Sequence, residues 1–250
     1  MNKVVALAAT ETRLMFRNRT VAVSSIVVPL GMGLFFMWNL SGYGTHPQLL
    51  ATALALQLVV VAGMTVYVTA TQTVVARRHN RVLKRMRTSG ISDAGLLIAT
   101  SAPGIVVGLV QLLVFVPFNI AFGVRGLADP LALALALLGG LALAVTAALA
   151  TTVVTVSPER AQITTLPLVF VMIGAAIALV VVPLEGWTQA LVVLPGGAIG
   201  QLTEISLVGN GWAPGLGGLP VMAPALVVTV LWPVAFALLA RRSFRWDPRV

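Results

Sequence analysis

Charged residues in this chain come in clusters, and between the clusters lie long stretches with none: residues 20–76, 94–124, 130–158, 161–184 and 205–240. An α-helix rises about 1.5 Å per residue, so about 20 apolar residues cross a hydrocarbon layer roughly 30 Å thick. The first stretch is long enough to cross twice. It breaks at Ser41-Gly42-Tyr43-Gly44-Thr45-His46-Pro47, a run of turn formers flanked by Trp38 as an interfacial aromatic. The pattern predicts an all-α integral membrane protein with six spans, near 20–40, 49–76, 96–120, 131–154, 163–182 and 219–240. Ser92 or Asp93 is the expected N-cap of the third span, and Ser157-Pro158-Glu159-Arg160 the tight connection between the fourth and fifth.

Residues 183–218 fit this scheme less simply. Glu185, Trp187 and Glu204 punctuate them, and the apolar piece around Pro195-Gly196-Gly197 is too short to cross. They are expected to form an external hairpin, either re-entrant or interfacial, with a seventh span as the weaker option. Residues 1–19 read as a cytoplasmic interfacial helix on which Arg13 and Arg17 share one face and Val4, Val5, Met15 and Phe16 the other, with Glu11 interrupting the apolar arc. No cleavable leader is expected, so the first span is retained. The whole is one transmembrane domain.

Composition narrows the class. Hydrophobic residues make up 58% of the chain and charged ones 9%, against about 25% charged in ordinary soluble domains. A soluble globule, a disordered chain and, with no cysteine, a disulfide scaffold are all excluded. A net charge of +9 would suit nucleic acid, but the basic residues flank apolar segments and line no polar domain, so a nucleic-acid partner is not expected. They report topology instead. With both termini inside, 15 of the 16 Lys and Arg are cytoplasmic and only Arg125 is outside.

The spans as drawn contain no Asp, Glu, His, Lys or Arg; Gln57, Gln72, Gln111, Asn119 and, at a span's edge, Gln162 are the strongest polar groups available. Ion-coupled transport needs titratable groups at membrane depth, and intramembrane catalysis needs a nucleophile, a metal cluster or paired acids. His46 and His79 fall on opposite sides of the membrane. The only lysines, Lys3 and Lys84, follow no glycine, so there is no phosphate-binding loop. No catalytic, cofactor-binding or metal-binding residues are therefore expected. Gly104 and Gly108, four apart in the third span, can seat a neighbouring helix.

The longest basic connection, Arg77 to Asp93, carries Val82, Leu83 and Met86 as a narrow apolar stripe beside Arg81, Lys84, Arg85 and Arg87, with Gly90 placed to end the helix. A lipid-surface anchor and a docking helix for a cytoplasmic partner both fit these residues.

Ala9-Thr10-Glu11-Thr12-Arg13 through Arg17-Asn18-Arg19, with Pro29 in the following span, resembles the opening of permease subunits of type-2 ABC exporters, the group that includes drug-efflux permeases. Val82 through Gly90 is similar to that family's coupling segment, and 183–200 stands where the family carries external re-entrant helices. The chain departs from the family at Arg77-Arg78-His79, where members often have an acid, and at Gly90, where many have proline. The resemblance implies a permease in a bacterial-type plasma membrane, partnered by a second identical or homologous permease and by ABC ATPase subunits. ATP and Mg would be bound by those partners and by no site in this chain. It further implies that Arg81, Val82, Leu83, Lys84, Arg85, Met86 and Arg87 couple to the ATPase, and that Glu11, Arg13 and Arg17 lie on an N-terminal interface helix. Apolar spans favour hydrophobic or amphipathic cargo such as drugs or lipids. Polysaccharide or glycolipid export by the same architecture, a lipid-modifying membrane enzyme, and an accessory subunit borrowing the fold are the alternatives.

Overall fold

A computed structural model describes residues 3–42, 46–181 and 186–247. The chain is 84% helical, without strands among the described residues. In order come α1 (Lys3–Arg17), α2 (Arg19–Ser41), α3 (Pro47–His79), the short α4 (Val82–Met86), α5 (Asp93–Ala121), α6 (Pro130–Val154), α7 (Pro158–Val181), a 3-10 segment (Gly186–Val193), α8 (Gly197–Val208) and α9 (Met222–Ser243). Six helices, α2, α3, α5, α6, α7 and α9, are long and apolar enough to cross a membrane, as the charge-free stretches predict. The expectations at Glu185, Tyr43 to Thr45 and Arg249 lie outside the described residues.

Local chemistry sets most helix ends. Pro47 opens α3 at a position where its missing N–H is no loss. Ser92 Oγ accepts the Gly95 N–H at 3.2 Å and caps α5, while Asp129 Oδ1 accepts that of Ala132 at 3.1 Å and caps α6. The second span differs from its predicted end. Instead of stopping at Ala76, α3 runs to His79, placing Arg77, Arg78 and His79 in its last turn, where cations complement the helix dipole.

α3 is the axis of the bundle: 89% of its most apolar window is buried, against 17–44% in the other five spans. Val61–Tyr67 in its middle is wound as a π-helix, the wider turn that leaves carbonyls out of the ordinary ladder. Gly104 and Gly108 of α5 press on that stretch. A Cβ at Gly104 would lie 3.1 Å from the Val66 carbonyl oxygen, and one at Gly108 would lie 2.9 Å from Val66 Cγ2. The helix seat read from their spacing is thus filled from within the chain.

All the described Lys and Arg except Arg125 gather at one end of the bundle, with α1, α4 and the ends of the spans that carry them. Trp38 and Trp212, 74% and 80% exposed, mark the other end. From that far end the 3-10 segment dips into the bundle and α8 returns. The turn is held by Gly196 at φ 93°, where a Cβ would lie 2.7 Å from the Met172 carbonyl oxygen, so only glycine fits. Met172 precedes the end of α7 at Val181 by nine residues, which puts the hairpin tip about 13 Å below it. Trp232 Nε1–H of α9 donates to the Val193 carbonyl at 2.7 Å. At the hairpin's outer end the N–H groups of Ala128 and Asp129 share the Ser206 carbonyl, at 2.8 and 3.1 Å. Of the alternatives for 183–218, the described part takes the re-entrant one.

Candidate functional site

The connection after α3 folds into a compact basic knuckle. Arg81 adopts φ 59°, alone among the described non-glycine residues in left-handed backbone, and turns the chain into α4. A 3-10 turn (Arg87–Ser89) follows, and Gly90 at φ 75° ends it as predicted. The apolar stripe does not face outward. Leu83 is fully buried within its own chain, and Val82 and Met86 are half-buried. The expectation that Leu83 meets a partner is corrected: a five-residue helix has one face to bury, and it buries Leu83 against the rest of the protein.

What the knuckle shows outward is charge. Lys84 Nζ meets Asp247 Oδ1 at 2.7 Å, and this hydrogen bond holds the Asp247 carboxyl below its ordinary range. Arg87 donates from Nε and Nη2 to the two Asp93 oxygens at 3.0 and 3.3 Å, and its guanidinium lies 4.7 Å above the Trp246 ring. The C-terminal tail is therefore strapped to the knuckle. Lys3 Nζ donates to the Ser89 carbonyl at 3.1 Å from the other side. Arg81 and Arg85 are exposed and make no ion pair among the described residues.

Two arginines fix the base of the knuckle to the bundle. Arg77 donates from Nε (3.0 Å) and Nη2 (2.8 Å) to Glu11 Oε2, and Glu11 is 4% exposed. Glu11 interrupts the apolar arc of α1 because, with Met15 one turn on, it faces inward. Of the residues expected on the apolar face, Met15 is buried in the protein while Val5 and Phe16 are 56% and 49% exposed; Arg13 and Arg17 are exposed too. Arg78 is 1% exposed; its Nη1 donates to the Thr152 carbonyl at 2.8 Å and its Nη2 to that of Thr155. Those carbonyls end α6 and have no helical donor, so the buried guanidinium caps the helix and meets its negative pole. The second span was expected to end at Ala76; the helix that carries it continues through Arg77, Arg78 and His79, and the buried guanidinium belongs to that extra turn.

Deeper in the bundle the polar groups are neutral. Pro29 has no N–H, which leaves the Ser25 carbonyl four residues earlier without its helical donor. Gln111 Nε2 of α5 supplies one at 2.9 Å, while its Oε1 accepts from the Thr65 hydroxyl of the π-helical stretch at 2.6 Å. α2, α3 and α5 are tied at this level. Nearer the far end, a groove of about 480 Å³ runs between α3, α5 and α6, reaching the hairpin at Ile199. Its walls are apolar apart from Gln57 and Asn119.

Residues 36–242 match the family described as ABC-2 family transporter protein. The chain belongs to that family. No curated protein and no solved structure matches it. It is thus a transmembrane permease subunit of an ABC transporter, a multi-pass membrane protein of a family whose members associate with ABC ATPase subunits.

Within this permease the structure gathers the residues singled out in sequence at one end: Glu11 of α1 and the knuckle from Arg81 to Arg87 are joined through Arg77. Where members often have an acid ahead of the knuckle, here an acid arrives from α1. Arg78 and the strap of Trp246 and Asp247 had no signal in sequence. Arg78, Lys84 and Arg87 look like ordinary positive-inside residues, and Trp246 and Asp247 like terminal ones, until the fold brings each to its partner.

Proposed function

We propose that this chain is the permease of an ATP-driven exporter that moves hydrophobic or amphipathic cargo out of the cytoplasm. Its basic end, with both termini, faces the cytoplasm of a bacterial-type cell, as the distribution of Lys and Arg favours. The chain carries no phosphate-binding loop, so ATP and Mg are bound by the partner ATPase subunits. A second permease, identical or homologous, completes the pathway.

The observation that carries this reading is the knuckle itself. It is clamped to the bundle by Arg78 and, through Arg77, to α1, yet it presents Arg81 and Arg85 outward. A rigid mount with exposed cations suits a lever that receives force from an acidic groove on another subunit. Arg87 and Lys84, engaged with Asp93 and Asp247, contribute as the rim of the same surface.

Arg81→Glu/Arg85→Glu tests it. At matched expression the double variant stays folded, its co-purification with the cognate ATPase falls by about tenfold or more, as charge reversal at an interface costs several kcal/mol, and ATP-dependent movement of a lipophilic dye into inside-out vesicles is lost. Undiminished co-purification and transport would return the knuckle to a lipid anchor.

A further inference from the structure

Gln57 and Asn119 are 1% and 7% exposed, line the groove between α3, α5 and α6, and each keeps a side-chain carbonyl oxygen with no hydrogen-bond partner. Gln57 Nε2 is engaged, donating to the Gly33 carbonyl of α2 at 3.3 Å, which leaves Gln57 Oε1 as the buried, unpartnered atom. A buried amide oxygen without a donor carries the full cost of its desolvation, and lipid offers no water to relieve it. A chain free to choose would place leucine here. Two such acceptors in one groove point to a ligand that brings donors.

The groove's layout says what kind. Along α5 it runs from Ile105 to Asn119, fourteen residues or about 21 Å, somewhat more than the depth of one leaflet. Asn119 stands two residues from the far end of α5. Phe115, one turn deeper, is level with Gln57, because both close on the same spot beside Gly33. The two acceptors are thus stacked about one helical turn apart toward the membrane surface, and below them the walls are Val61, Val66, Ile105 and Leu112. The groove opens sideways: Leu113 and Leu138 on its lips are 70% and 65% exposed. Polar near the surface and aliphatic toward the midplane is the polarity of an amphiphile standing in one leaflet.

We infer that this groove binds a membrane amphiphile from the leaflet opposite the basic end, with an uncharged hydroxyl- or amide-bearing head donating to Gln57 Oε1 and Asn119 Oδ1 and an aliphatic tail lying along α5. The absence of any charged residue among the lining groups disfavours ionic heads, whose burial without a counter-charge is costly. Its volume falls in the range of small-ligand sites, about 300–1,000 Å³. An apolar helix of a second copy would leave both oxygens unmatched. The assignment concerns binding and needs only the membrane placement of the bundle, not the direction of transport.

The test is photolabelling of the full chain in lipid nanodiscs with a diazirine-tailed monoalkylglycerol and, in parallel, with its di-O-methyl ether, which keeps the acceptor oxygens and the tail but has no donor. The diol is expected to label peptides between Leu109 and Leu141 about tenfold more than the ether, as two hydrogen bonds to otherwise unpaired acceptors allow. Gln57→Leu/Asn119→Leu should abolish that preference while remaining at least as resistant to heat, since the substitutions remove unsatisfied polar atoms. Asn119→Leu alone, which leaves the Gln57 bond to Gly33 intact, serves if the double variant does not fold. Equal labelling by diol and ether would overturn the inference, as would a preference that survives both variants. So would exclusion of both probes together with a Leu138→Cys crosslink between copies, which would make the groove an interface.

Discussion

Replacing Arg78 with methionine removes the capping guanidinium while keeping a long side chain. The structure sets the size of the loss. Two charge-assisted hydrogen bonds disappear, each worth about 1.5–3 kcal/mol, and the Thr152 and Thr155 carbonyls are left without donors at the end of α6. Against this stands the desolvation of the guanidinium itself, which costs several kcal/mol in the folded protein and vanishes in the variant. The balance is a destabilisation of about 2–4 kcal/mol. Arg78→Lys keeps a cation at the helix's negative pole, worth about 0.3–1 kcal/mol and up to 2 when buried, but its single ammonium does not reproduce the planar fork that reaches both carbonyls. It should fall between methionine and the native protein. Unfolding followed by intrinsic tryptophan fluorescence in mixed micelles of rising denaturing-detergent content gives the order. Because Arg78 mounts the knuckle, the methionine variant should also lose ATPase co-purification in step with stability. If Arg78→Met unfolds within about 0.5 kcal/mol of the native chain, the capping argument fails.

Other expectations follow from single contacts. Leu83→Asp buries an unpaired carboxylate, so it should lower the yield of folded monodisperse protein, whereas Arg85→Glu should not; equal yields would put Leu83 back on the surface. Gly108→Leu cannot fit beside Val66 and Val61 of α3 and should destabilise the isolated chain by about 1–3 kcal/mol; a change in oligomeric state without loss of stability would make this seat intermolecular. Gln111→Leu should cost about 1–3 kcal/mol, because it removes the amide donor of the Ser25 carbonyl and the acceptor of the Thr65 hydroxyl and leaves those two only their longer mutual bond of 3.3 Å. Adding Pro29→Ala to it should recover part of that, because alanine at this position restores an N–H to the Ser25 carbonyl, and purely additive losses would refute the link. Arg87→Ala should free the C-terminal strap, read as faster proteolysis near Trp246.

Six spans, their approximate limits and the one-sided basic end were legible in the linear pattern, because crossing a bilayer is a one-dimensional constraint: length and the absence of charge are enough. Capping at Ser92 and the stop at Gly90 were equally local, set by residues within a turn of the event. The burial of Leu83, the pairing of Glu11 with Arg77 and the capping of α6 by Arg78 depend on which surfaces face each other, and no local preference records that. Sequence marked Gln57, Gln111 and Asn119 alike as amides in apolar surroundings. Only the packing of α2, α3, α5 and α6 separates them: Gln111 finds a carbonyl that Pro29 left vacant, while Gln57 and Asn119 each keep an oxygen with no partner at the groove. A buried polar group's role is decided by what stands opposite it, and that is a property of the tertiary structure.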